Sequence, residues 1–175
     1  MKKTVLLVKS LVVMSFLFVS CNDNDSVTCP DALTGELSAV ESAFAGKWVL
    51  TAIASEKEVD LTNDNVANPS KNIFEQQTAC QKDVIYVFNA DRTFDYKEGS
   101  VAEACTKTAI DGTWKYSVSG LVIVANCTSQ ILDIDVNDDS TEFSIESTYN
   151  IKDVSNNVIS SKLTFTYTKA VAVPE

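Results

Sequence analysis

The chain has 175 residues, 45% of them apolar, with only five glycines and three prolines, which fits one packed domain and excludes a fibrous repeat or a disordered chain. The formal charge is −10, and since residues 1–20 carry Lys2, Lys3 and Lys9 and no acid, the remainder stands at −13, which argues against a nucleic-acid partner. Histidine is absent, which excludes Ser-His-Asp and Cys-His nucleophile systems and every His-ligated metal site.

Residues 1–20 read as an export signal: Met1-Lys2-Lys3 is a positive start, and the apolar run from Val5 to Val19 is too short and too broken by Lys9 and Ser10 to span a bilayer. The run ends in Leu17-Phe18-Val19-Ser20-Cys21, which resembles the lipobox of bacterial lipoproteins. The resemblance implies that Cys21 is acylated and becomes the new N-terminus, with Phe18 standing where leucine is usual. Residues 21–32 then form an acidic tether, opening with Asn22-Asp23-Asn24-Asp25-Ser26. That run also resembles the acidic signals that send Bacteroidetes lipoproteins to the outer face of the outer membrane. The implied place is the outer membrane, with a periplasmic or a surface orientation both open.

The domain proper covers residues 33–175. Leu33, Leu37, Val40, Ala43 and Phe44 fall at helical spacing before Gly46, so a short helix is expected to lean on or plug one end of the strands beyond it. Gly46-Lys47-Trp48 then opens an alternating strand, and a related triplet, Gly112-Thr113-Trp114, opens another mid-chain, which would hold both tryptophans near one end. The polar stretch from Glu56 to Ser70 is the longest connection, with a helical turn expected over residues 72–78. From Asp83 onward the chain alternates in short runs separated by turns: residues 84–89, 93–98, 112–118, 121–125, 131–136, 142–150 and 158–168. With the Trp48 strand these make eight, each with one apolar face and in most an opposite polar one, as a single sheet curled on itself requires. Eight such strands close into an antiparallel barrel wide enough to be filled by side chains or to hold one small ligand.

With Cys21 given to lipid, Cys29, Cys80, Cys105 and Cys127 remain, an even number without Cys-x-x-Cys spacing, which favours two disulfides over a zinc site. A hairpin turning through Ala90-Asp91-Arg92 sets Phe88 opposite Phe94 and Tyr86 opposite Tyr96. Extended outward, the same register brings Cys80 and Cys105 to its open end and leaves Cys29 to Cys127.

Gly46-x-Trp48, Cys80-Gln-Lys-Asp83, Tyr86-x-Phe88-Asn89-x-Asp91-x-Thr93-Phe94 and Gly112-Thr113-Trp114 together resemble the lipocalin-like lipoproteins of Bacteroidetes, over about residues 46–169. The resemblance implies an all-β, eight-stranded, lipocalin-like barrel and leaves the ligand open. Where such chains commonly have Asp-Gly-Thr at the hairpin turn, this one has Asp91-Arg92-Thr93.

Asp60-Leu-Thr62-Asn63-Asp64-Asn65 is patterned like a calcium loop but has Asn65 at the glycine position and Lys71 at the closing carboxylate, so no metal is assigned. Asp133 and Asp135 alternate with Leu132 and Ile134 and therefore face solvent; no catalytic residues and no cofactor are expected, and the chain is read as a non-enzyme. The inward aromatics Trp48, Tyr86, Phe88, Phe94, Tyr96, Trp114, Tyr116, Phe165 and Tyr167 either line a cavity or fill one. Two functions are compatible with this pattern: a lipid-anchored monomer binding a small, mostly apolar molecule, or a structural or interaction lipoprotein with a filled barrel.

Overall fold

The computed structural model of the protein describes residues 28–171. Residues 28–38 form an irregular strap, bent at Gly35, that lies against the sheet where Leu33 N donates to Thr113 Oγ1. Helix α1, Ala39–Phe44, comes next. It is shorter than the helix expected from residue 33 because Ser38 and Glu41 form a capping box that starts it there, and Gly35 upstream is left-handed, with φ 101°. The strands are β1 (Gly46–Val59), β2 (Ser70–Asn72), β3 (Val84–Phe88), β4 (Thr93–Glu98), β5 (Thr108–Ser117), β6 (Gly120–Ala125), β7 (Thr128–Leu132), β8 (Ile134–Val136), β9 (Glu142–Lys152) and β10 (Val158–Lys169). A 3-10 turn, Phe74–Gln76, falls within the expected helical turn over residues 72–78. Helix α2, Ala79–Lys82, was not expected; Thr78 and Gln81 form the capping box that starts it.

All strand pairs are antiparallel, in the order β7-β6-β5-β4-β3-β1-β10-β9-β8, with β2 added beside β1. The two outer members are one stretch of chain: β7 ends at Leu132, β8 starts at Ile134, and only Asp133 interrupts them. The first piece pairs with β6 and the second with β9, so this kinked strand completes the ring. Ten assigned strands thus make eight barrel staves plus the short β2, in an all-β antiparallel architecture.

Neighbouring staves are consecutive in the chain except where β10 returns to β1. Connections therefore alternate between two ends. One end holds α1 and the turns at residues 89–92, 118–119 and 137–141. The other holds the long connection 60–83 and the turns at 99–107, 126–127 and 153–157.

The predicted hairpin register is present, with Phe88 opposite Phe94 and Tyr86 opposite Tyr96. Strict alternation from Trp48 would turn Leu50 and Ala52 inward, but a bulge between Leu50 and Ala52 shifts parity, so Trp48 and Leu50 point inward and the next inward residues are Ile53 and Ser55. Both disulfides pair as the register implied, Cys80 with Cys105 and Cys29 with Cys127. Asp133 and Asp135 are exposed on the outside.

Candidate functional site: a closed end and an open end

The two ends of the barrel differ in what fills them. Phe44 comes off the last turn of α1 into the α1 end and meets Trp48, Phe88, Trp114, Tyr116 and Phe143 at ring-centroid distances of 4.8 to 6.0 Å. Phe44, Trp48 and Trp114 have no exposed surface, and both indole N–H groups are already used, Trp48 Nε1 donating to Phe44 O and Trp114 Nε1 to Asn89 O, each at 3.0 Å. Lys169 lays its ammonium over the Trp48 ring and donates to Ala43 O; burial pushes its pKa down. Gly46, with φ 141°, leaves room for that lysine, because a Cβ there would come within 2.8 Å of its Cε.

An ion pair locks this end. Arg92, the residue at the glycine position of the hairpin turn, is left-handed with φ 69° and almost wholly buried. Its fork holds the Glu41 carboxylate, Nη1 to Oε1 at 2.7 Å and Nη2 to Oε2 at 3.0 Å, while Nε donates to Gly35 O, Nη2 to Glu36 O and Nη1 to Trp114 O. Five N–H donors thus meet five acceptors. Glu41 also accepts from the backbone N–H of Ser38 and Tyr116, and with Arg92 beside it its pKa is held down at about 2. Arg92 and Glu41 were not among the predicted site residues; the signal was the missing turn glycine.

The opposite end is walled by residues that face inward yet stay half-exposed: Tyr96, Ile110, Ile134, Ile145, Tyr149 and Phe165 among them. Register explains the gradient. Trp48 is level with Tyr86, Tyr86 with Tyr96 and Tyr96 with Ile110 along one row of paired residues, and because barrel strands tilt, that row climbs from the closed end toward the open rim. Tyr86 lies midway, 5.0 Å from Tyr167 and 5.2 Å from Tyr96 by ring centroid; its hydroxyl is hydrogen-bonded to that of Tyr167, and burial raises its pKa to about 12. Tyr167 and Tyr96 are likewise raised, first by burial. The Tyr96 hydroxyl donates to Glu98 Oε2 at 3.3 Å, and Tyr149 packs edge-on against Phe165.

The nine predicted aromatics therefore divide. Trp48, Phe88, Phe94, Trp114 and Tyr116 belong to the closed end or its wall, Tyr167 and Tyr86 form the middle layer, and Tyr96 and Phe165 face the open end. Tyr149, on the same inner face of β9 as Phe143 and Ile145, joins that wall and was missed as a site residue.

Two shallow depressions lie outside the barrel, one lined by Ala79, Lys82, Asp83, Val101 and Ala102, the other beside the Cys29–Cys127 bridge. Among the described residues no three Cys, Asp or Glu side chains gather as metal ligands. In the Asp60 loop both carboxylates turn inward on the loop, Asp60 accepting from Thr62 and from Asn68 N and Asp64 from Val66 N and Asn68 Nδ2. Among the same residues no helix is long and apolar enough to cross a membrane. Cys21, the expected lipid site, and the export signal expected over residues 1–20 lie outside the described residues.

No curated protein sequence matches the chain. Among solved structures it is similar to insecticyanin from the tobacco hornworm Manduca sexta, at 14% identity and a TM-score of 0.40, over 82% of this chain and 69% of that one. A family model matches residues 22–170, most of the chain, and the protein thereby belongs to the family described as a domain of unknown function, DUF5004.

Proposed function

We propose that the protein is a lipid-anchored binding protein of the outer-membrane envelope, taking one small, mostly apolar molecule into the open end of its barrel. The observation that carries this reading is the contrast between the ends. The α1 end is filled with fully buried rings, while the other presents a wall of half-exposed aliphatic and tyrosine side chains with few charges. Apolar surface left half-wet on a concave wall is stabilised by any apolar guest that removes it from water, at about 25 cal/mol per Å², and the Tyr96, Tyr149 and Tyr86 hydroxyls supply a few orienting contacts. The paired cysteines and the signal-like leader support an exported protein. No catalytic role is assigned to any residue.

The test is titration of the purified protein with a fatty acid, a retinoid, haem and a bile acid, followed by thermal shift and tyrosine difference absorbance. Tryptophan emission is the poorer reporter, since both indoles sit at the closed end. Saturable stabilisation by one of these, lost in Tyr96→Ala and Tyr149→Ala, supports the reading; no stabilisation by any of them overturns it. The stack of Tyr86 on Tyr96 and Tyr167 favours a second reading, a barrel filled from end to end that works through its outer surface.

A further inference from the structure

We infer that the open end is the membrane-facing end of the molecule, its rim resting on the lipid surface to which the chain is tethered. The inference rests on the reading of Cys21 as the lipidated residue. It starts from the strap. Cys29 is bridged to Cys127, which lies in the turn between β6 and β7, one of the four connections at the open end. From there the strap runs down the wall, Leu33 N donating to Thr113 Oγ1 and the Gly35 and Glu36 carbonyls received by Arg92, until α1 plugs the far end. Chain upstream of Cys29 therefore departs from the open rim.

Cys21 and Cys29 are separated by eight residue steps, which span about 28 Å at full extension. Beside Cys127 the two ends are separated by the six residues of β6, about 20 Å. A relaxed tether of eight steps has an end-to-end distance of about 16 Å, so an anchor on Cys21 meets the open rim with chain to spare, whereas the level of the closed end takes most of its full reach.

The rim has the chemistry for such a contact. Of the four connections there, three carry an exposed valine, Val66 at 61%, Val101 at 73% and Val154 at 42%, and the fourth carries Cys127 with its bridge to the tether. Val40 and Val118 are exposed at the closed end too, so valines alone do not distinguish the ends; the tether does. The chain's negative charge makes a zwitterionic surface the suitable partner, because contact must come from apolar side chains and not from a basic patch.

The experiment uses the full chain, expressed with its own leader, purified from the membrane fraction and reconstituted in phosphatidylcholine vesicles with brominated acyl chains. Val101→Trp and Val154→Trp place reporters on the open rim, and Val118→Trp places one at the closed end; native Trp48 and Trp114 give a shared, buried background. The expected result is about twofold quenching of the rim reporters, as for side chains seated ~5–10 Å into the interface, and none of Val118→Trp. Quenching of Val118→Trp with the rim reporters unaffected, or equal quenching at both ends, overturns the orientation while leaving the binding reading standing. An intact mass showing no lipid on Cys21 overturns the anchor and the orientation together, and titration in solution still decides the binding reading by itself.

Discussion

Arg92 occupies a backbone conformation that costs a side-chain-bearing residue about 1–2 kcal/mol relative to glycine. What offsets that cost is the buried pair with Glu41, whose loss typically costs ~3–5 kcal/mol because one charge is left without a partner. The second term is larger, so Arg92→Gly, although it restores the more permissive turn residue, is expected to lower stability by about 1–4 kcal/mol in guanidinium unfolding. Arg92→Lys keeps the charge but not the five-donor fork and should lie between glycine and the native residue. Glu41 adds a pH dependence. Its folded pKa of about 2 lies below the ordinary value of 4.5, so its contribution is complete above about pH 4.5 and is lost as pH falls toward 2. Unfolding midpoints followed through that window should fall in the native protein and fall much less in Arg92→Gly.

At the scale of elements, the two disulfides close loops of very different length, with sequence separations of 98 and 25. Chain-entropy reasoning assigns about 4.7 kcal/mol to the longer loop and about 3.5 kcal/mol to the shorter. The Cys29→Ser/Cys127→Ser variant should therefore lose more in equilibrium unfolding than Cys80→Ser/Cys105→Ser, and an equal loss would show that the strap is held by Arg92 and not by the bridge. Much of this layer was legible in the sequence. Alternation identified every stave, and the pairing of Phe88 with Phe94 carried far enough outward to place Cys80 beside Cys105. Two things were not legible. The bulge near Thr51 inverts inside and outside without any change in residue type, since Thr51 satisfies its hydroxyl on Thr166 O and Thr168. Depth along the barrel was hidden as well: alternation says which residues face inward, but strand tilt decides whether an inward ring such as Trp48 lies at the sealed end or, like Tyr96, toward the opening.

For the molecule as a whole, the tyrosine layer sets the alkaline limit as Glu41 sets the acid one. The Tyr86 hydroxyl has a folded pKa of about 12 against an ordinary 10, so it contributes stability that is complete below pH 10 and lost as pH rises from 10 toward 12. Tyrosinate absorbance should show Tyr86 ionising late and together with unfolding, and Tyr86→Phe should flatten that limb; a Tyr86 that titrates freely in the folded protein would contradict its burial. A ligand seated on this layer should raise the thermal midpoint in proportion to the logarithm of its concentration.

The order of the staves also bears on how the chain reaches this state. Each stave pairs with its predecessor in sequence, so the sheet can grow by successive hairpins. The exception is the junction of β1 with β10, which matches Trp48 with Lys169 and Ser55 with Leu163 across more than a hundred residues. Until the last strand arrives, the edge of β1 opposite β3 and β2 stays unpaired from Trp48 to Ser55. An open edge of that kind recruits strands from other chains. A chain stopped after Lys152 would keep the hairpin sheet and the Cys80–Cys105 bridge yet leave β1 and β9 as raw edges, and such a truncation should self-associate more strongly than the complete chain in sedimentation. Ring closure is accordingly the slow, long-range step of folding, and the C-terminal strand is the part whose delayed arrival exposes the protein to aggregation.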